Sequence, residues 1–174
     1  MRALALLGMA IAACGTDEIP VPPECNGSLD LCDRRYDEVV YPTTHNSMSN
    51  AEDGWTEPNQ NRNLGHQLDD GVRAFMLDAH HWEGEALLCH AICALGSIPL
   101  VDALDVFDEF LRTHRGEVIT FIFESYVTAD EMADAFAASG IDRRVHVQSP
   151  AEPWRRSRPK PESTPHSYHP MVSW

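Results

Sequence analysis

Five polar residues stand where short apolar runs end: His45 and Asn46 after Glu38–Tyr41, Asp78 after Val72–Leu77, His90 after Ala86–Cys89, and Glu124 after Val118–Phe123. Their types suit the cleavage of a phosphodiester. Imidazole titrates near neutral pH, so two histidines can serve as general base and general acid, each contributing typically about 10²–10⁴-fold. Asn46, Asp78 and Glu124 offer only oxygen donors, the set a hard cation such as Ca²⁺ prefers. Such a cation screens a phosphate and stabilises charge building on its oxygens. The Cys89-His90-x-x-Cys93 spacing also admits part of a zinc site, but no second CxxC-like half accompanies it.

Positioning these residues requires strands whose ends converge. Val118–Phe123, with its β-branched and aromatic residues, is the most strand-like stretch of the chain. Val72–Leu77 is mostly apolar and reads as a strand buried on both faces. Helices alternate with the strands. Asn63–Asp70 reads as helical with Gly71 as its stop. Leu100–His114 repeats apolar residues at Leu104, Phe107 and Leu111, one face of a helix. Thr128-Ala129-Asp130-Glu131 is a capping box opening a helix that Gly140 closes. Val145–Gln148 is a fifth short strand. Buried strands separated by helices predict an α/β fold with a parallel sheet. In a parallel barrel the C-terminal strand ends open onto one face, where active sites are built. Four strands delivering ionisable or amide groups to that face is the main argument for a site there.

The motifs carry a resemblance. Thr44-His45-Asn46-Ser47, Gln67-Leu68-Asp69-Asp70-Gly71-Val72-Arg73, Leu77-Asp78, Leu88-Cys89-His90 and Phe121-Ile122-Phe123-Glu124 resemble, in order and spacing, the X-region of phosphatidylinositol-specific phospholipase C and related phosphodiesterases. The similarity runs from about Tyr36 to Trp154. It implies a TIM-type (β/α)₈ barrel and attack on the phosphate by an internal hydroxyl of a lipid headgroup. His45 is then the general base and His90 the general acid. Asn46, Asp78 and Glu124 match the ligand positions of the metal-dependent branch, which implies Ca²⁺. That branch also carries a carboxylate two residues before Asp78, where this chain has Met76. Arg73 is expected either to pair with a carboxylate inside the fold or to join His80 and Trp55 in binding substrate. Glycerophosphodiester or sphingolipid-type phosphodiesterases, and an inactive lipid-anchored binding remnant of the family, are the competing readings; Met76 argues against the former.

The rest of the chain bounds the setting. A formal net charge of −14 over 174 residues excludes a nucleic-acid-binding role. Ala3 to Ala13 is a nearly unbroken apolar run, shorter than the about 20 residues a membrane-spanning helix needs, so it reads as an export signal. It ends Ala12-Ala13-Cys14-Gly15, which resembles a lipoprotein box, so Cys14 is the expected lipid anchor of a cell-envelope protein. Cys25, Cys32, Cys89 and Cys93 remain, an even number that suggests two disulfides in an oxidising compartment. Three pairings are open, and the local one closes the shortest loops. Residues 15–33 read as a tether with a small cysteine knot, 34–153 as the barrel, and 154–174 as a proline-rich basic tail. About five strands stand where a barrel needs eight and about 250 residues, so an incomplete barrel, from a truncated or frame-shifted chain, is expected.

Overall fold

The computed structural model describes residues 24–147. Cys14, the leader and the tail from Trp154 lie outside them. The fold is mixed α/β, built on five strands: β1 (Thr43–Thr44), β2 (Ala74–Trp82), β3 (Glu85–Leu88), β4 (Ile98–Pro99) and β5 (Thr120–Ser125). Three helices accompany them: α1 (Leu64–Asp69), α2 (Leu100–Thr113) and α3 (Ala129–Ser139).

Strand β2 organises the sheet. On one side it pairs in parallel with β5, from Ala74↔Thr120 through Asp78↔Glu124 to Ala79↔Ser125. On the other it pairs in parallel with β1 at Thr43↔Ala74 and Thr44↔Phe75. Beyond that point β3 takes over, antiparallel, from Ala79↔Leu88 to Trp82↔Glu85. Strand β4 extends the sheet antiparallel to β3. The sheet does not close into a barrel.

Three sequence expectations change here. The run Glu38–Tyr41 is not a strand. Tyr36–Glu38 is a 3₁₀ turn, Val40 is 94% exposed, and pairing starts only at Thr43. The sheet is also not wholly parallel. Only Glu83 and Gly84 connect β2 to β3, both at positive φ (52° and 91°). A two-residue turn of that geometry returns the chain as a hairpin, whereas a parallel crossover needs a dozen residues or more. The fifth strand expected at Val145–Gln148 does not form within the described residues, where the element after α3 is the 3₁₀ helix Ile141–Arg144.

The helices obey their local signals. The Asn63 side chain accepts from the His66 amide and caps α1. Thr128 and Glu131 cap α3 reciprocally, and Gly140 ends it at φ 76° in the left-handed region. Helix α2 buries Leu100, Ala103, Leu104, Phe107, Phe110 and Leu111. Its Phe107 ring meets Phe75 of β2 edge-on at 4.8 Å and Phe121 of β5 at 4.7 Å. Phe136 of α3 packs on Phe121 and Phe123. Helices therefore cover the sheet face that carries Phe75, Leu77, Phe121 and Phe123. Because side chains alternate along a strand, Met76, Asp78, His80, Ile122 and Glu124 stand on the opposite face, with Ile122 38% exposed and Asp78 buried.

Both disulfides take the local pairing, Cys25–Cys32 and Cys89–Cys93. The second consumes the thiolates that a zinc site at this position requires.

Candidate active site

Asp78 and Glu124 are Cα partners on neighbouring strands, so their carboxylates project side by side from the open face. Met76 and Ile122 pair one step below them and give the site an apolar floor. Asp78 is only 8% exposed. Burial, and secondly the adjacent Glu124 charge, raise its carboxyl above the ordinary aspartate range. His90, His80 and His45 pull in the opposite direction. Those three imidazoles therefore lie close enough for their charges to act on Asp78. The sequence reading brings His45, Asp78, His90 and Glu124 together, and the structure does the same.

Each arrives by a different route. His45 sits in the turn that leaves β1, exposed, with its carbonyl held by the Gln60 amide at 2.6 Å. Asn46 follows at φ 49°, a left-handed conformation that asparagine tolerates better than most residues. It is 3% exposed. The Ser47 amide donates to the Met76 carbonyl of β2 at 2.9 Å, which fastens this turn to the strand that bears Asp78. His90 does not follow a parallel strand. It leaves the antiparallel strand β3, whose return along β2 brings the Cys89 amide to the Asp78 carbonyl at 3.1 Å. The hairpin thus carries its own C-terminal end back to the level of Asp78.

The three residues considered as substrate contacts, Arg73 with carboxylate pairing as its alternative, take distinct places. His80 stays at the site, on the face of Asp78, with its ring stacked on Tyr126 at 4.6 Å. Trp55 and His90 line one cleft of about 210 Å³, together with Ser49, Thr56, Glu57 and Ile92. Arg73 does not reach the site. It precedes β2, five residues from Asp78, or about 17 Å along a strand. There its Nε donates to Glu117 at 2.6 Å and its Nη1 to the Leu68 and Val72 carbonyls. Pairing with a carboxylate is thus what Arg73 does, and substrate contact is not.

Two contributors were not singled out from the sequence. Gln67 on α1 is 3% exposed and clamps the His45 turn from below. Its Oε1 accepts from the Thr44 hydroxyl at 2.7 Å, and its Nε2 donates to the Ser47 and Arg62 carbonyls. The sequence signals were its place at the head of the Gln67–Arg73 motif and a polar residue on the face that also holds Leu64 and Leu68. Tyr126 donates its phenol to Glu124, and that bond raises the phenol above its ordinary range. It stands two residues after Glu124, so it shares the carboxylate's face of the chain.

For a cation, the donor chemistry fits and the number of ligands is small. Among the described residues, no three His, Cys, Asp or Glu side chains gather as a metal-holding group. The adjacent carboxylates of Asp78 and Glu124 are the oxygen donors that share this face, and Asn46 lies in the turn fastened to β2 beside them. With Met76 in place of a carboxylate, waters must complete the shell of a hard cation.

Comparison with known proteins identifies the family. The family described as PI-PLC X 1 matches residues 31–153. A PI-PLC X domain-containing protein 1 of Arthroderma benhamiae is 33% identical over 122 residues, 67% of this chain and 39% of that protein. A PI-PLC X domain-containing protein of Arabidopsis thaliana is 28% identical over 121 residues, 62% of this chain and 28% of its own length. An uncharacterised secreted protein of A. benhamiae is 28% identical over 126 residues, 71% of this chain and 28% of that protein. The chain thus spans well under half the length of these relatives. No helix among the described residues is long and apolar enough to cross a membrane.

Proposed function

This chain belongs to the PI-PLC X family, and on that premise we propose that it is a phosphodiesterase cleaving a phospholipid headgroup by histidine acid–base catalysis. One observation carries the reading. Asp78 and Glu124 stand in register on the open face, with His45, His80 and His90 within electrostatic reach of Asp78. His45 takes the proton of a headgroup hydroxyl, whose oxygen attacks phosphorus. The bond from phosphorus to the diacylglycerol oxygen breaks, and His90 gives that oxygen its proton. The products are a cyclic phosphodiester and diacylglycerol. Asp78 is buried beside the imidazoles and marks the face on which they meet the phosphate.

Asn46, Asp78 and Glu124 are the residues that would hold a calcium ion. Bound there, it would supply charge stabilisation to the phosphate oxygens. The remaining parts of the reading follow from sequence: export, and a lipid anchor on Cys14 that brings the chain to a membrane. One of the relatives is named as a secreted protein, which supports export. A (β/α)₈ barrel is the architecture the family relation implies for the longer relatives, of which β1, β2 and β5 supply three parallel strands.

A substrate panel tests the proposal. The full chain is incubated with phosphatidylinositol, sphingomyelin and glycerophosphocholine, in calcium and in chelator, with products read by phosphorus NMR. Cyclic inositol phosphate from phosphatidylinositol supports it. Turnover confined to the other two substrates moves the chain to the glycerophosphodiester or sphingolipid class. Lipid binding without any product would make it a binding remnant. Chelation is expected to lower rate or Tm, and Asp78→Ala to remove that response; a wild type indifferent to chelator has a metal-free mechanism.

A further inference from the structure

His90 is bracketed by the two most buried residues of its loop, Cys89 at 0% and Cys93 at 6% exposure, and these are joined to each other. Between them His90, Ala91 and Ile92 are exposed, Ile92 by 55%. The segment that presents the imidazole therefore has little packing of its own to define its shape. It nevertheless follows a specific path. Ala91 adopts φ 60°, a left-handed conformation that residues with a Cβ disfavour. The Ile92 amide donates to the His90 carbonyl at 2.6 Å, and the Leu95 amide to the Ile92 carbonyl at 2.9 Å.

The two ends of this path are fixed to different parts of the site. At the start, the Cys89 amide is bonded to the carbonyl of Asp78 itself. At the far end, the Leu95 carbonyl accepts from Thr56 at 2.9 Å. The indole of Trp55 lies so close to Gly96 that a Cβ there would come within 2.5 Å of it. What joins the two ends across the exposed tip is the covalent link, at a Cα–Cα distance of 5.0 Å. A short closed loop has few conformations to visit.

We propose that the Cys89–Cys93 disulfide is a positioning device for His90: it holds the loop that aims the imidazole at Asp78, and its reduction disables the site while the fold stays intact. Cys25–Cys32 has no such role. Its loop meets the chain at Val118 and Glu117, through Asn26 and Gly27, at the end of β5 opposite Glu124. The proposal rests on the reading of His90 as general acid, and its test separates the two.

Three forms of the full chain are compared: wild type, Cys89→Ala/Cys93→Ala, and Cys25→Ala/Cys32→Ala. Turnover of phosphatidylinositol micelles is measured beside amide hydrogen exchange. In the Cys89→Ala/Cys93→Ala form kcat is expected to fall roughly 10–100-fold, with KM within about threefold. The Ile92 and Leu95 amides should lose protection while β2 and β5 keep theirs. The Cys25→Ala/Cys32→Ala form should keep kcat within about twofold and keep protection at Ile92.

Should the double variant fail to fold, the wild type is treated with dithiothreitol. One reagent thiolate attacks a cysteine sulfur, the Cys89–Cys93 bond breaks, and the released thiolate takes a proton. The second reagent thiol then closes the reagent into its cyclic disulfide, leaving two cysteine thiols. Activity and Ile92 protection should fall together and return on reoxidation with glutathione disulfide. Unchanged kcat and unchanged Ile92 protection after loss of the link would overturn the proposal. A wild type without turnover defeats the catalytic reading instead, and the exchange measurement still decides whether the link holds the loop.

Discussion

Arg73→Met should cost this protein much of its stability while leaving substrate affinity alone. The Arg73 and Glu117 side chains retain 12% and 8% of their accessibility, and their ion pair closes at 2.6 Å. The guanidinium also satisfies the Leu68 and Val72 carbonyls and lies over the Phe110 ring at 4.8 Å. Glu117 spends its other oxygen on the Gly27 amide. Removing Arg73 leaves the Glu117 carboxylate without its guanidinium and the Val72 carbonyl without that donor, while the Leu68 carbonyl keeps the Gly71 amide; breaking such a buried pair typically costs about 3–5 kcal/mol. For a domain of this size that corresponds to a fall in Tm of roughly 10–20 °C. The assay is calorimetric melting, with KM measured well below the variant's Tm. Replacing both partners, Arg73→Met with Glu117→Leu, should recover part of the loss, because no charge is then left unpaired. A variant that melts within about 3 °C of wild type but binds substrate an order of magnitude more weakly would refute this, and would return Arg73 to the substrate.

Other perturbations separate the site from its scaffold. Asp78 has a raised carboxyl, so the native state holds its proton more tightly than the unfolded chain does, and ionisation at neutral pH costs stability. Asp78→Asn should therefore raise Tm at pH 7 while abolishing turnover, and the gain should vanish as pH falls below the ordinary value of 3.8; an equal loss of Tm at both pH values would contradict this. Gln67→Ala strands the bonding groups of Thr44, Ser47 and Arg62, a cost of about 1–3 kcal/mol, and should lower kcat more than it raises KM because His45 loses its support. Glu131 is held down to about 2 by the Thr128 amide and hydroxyl and by His81. Its contribution is present above 4.5 and lost as pH falls toward about 2, so Glu131→Gln should flatten the acid limb of a melting-versus-pH curve.

What could be read from the sequence was what local chemistry decides. Asn63, the Thr128–Glu131 box and Gly140 mark helix ends because caps are satisfied within a few residues. The apolar spacing of Leu104, Phe107 and Leu111 placed α2 for the same reason. Pairing is a different matter. Val39 and Val40 look like a strand, yet β1 forms at Thr43–Thr44 because Ala74 and Phe75 lie opposite those residues, a choice made by a distant segment. The antiparallel return of β3 was legible in principle, since Glu83-Gly84 leaves no room for a crossover. Treating β3 as one more parallel strand missed it, although the hairpin still brings His90 near Asp78. Arg73 and Gln67 share one motif, and only the fold separates an internal ion pair from a clamp beneath the His45 turn.

The account stands on His45 and His90 acting as one acid–base pair, and turnover of phosphatidylinositol by the two single alanine variants and their double tests this directly. Each single variant should lose about 10²–10⁴-fold in kcat, with the double losing little more than the worse single, as members of one catalytic unit do. A His45→Ala enzyme that releases cyclic inositol phosphate at the wild-type rate would contradict it.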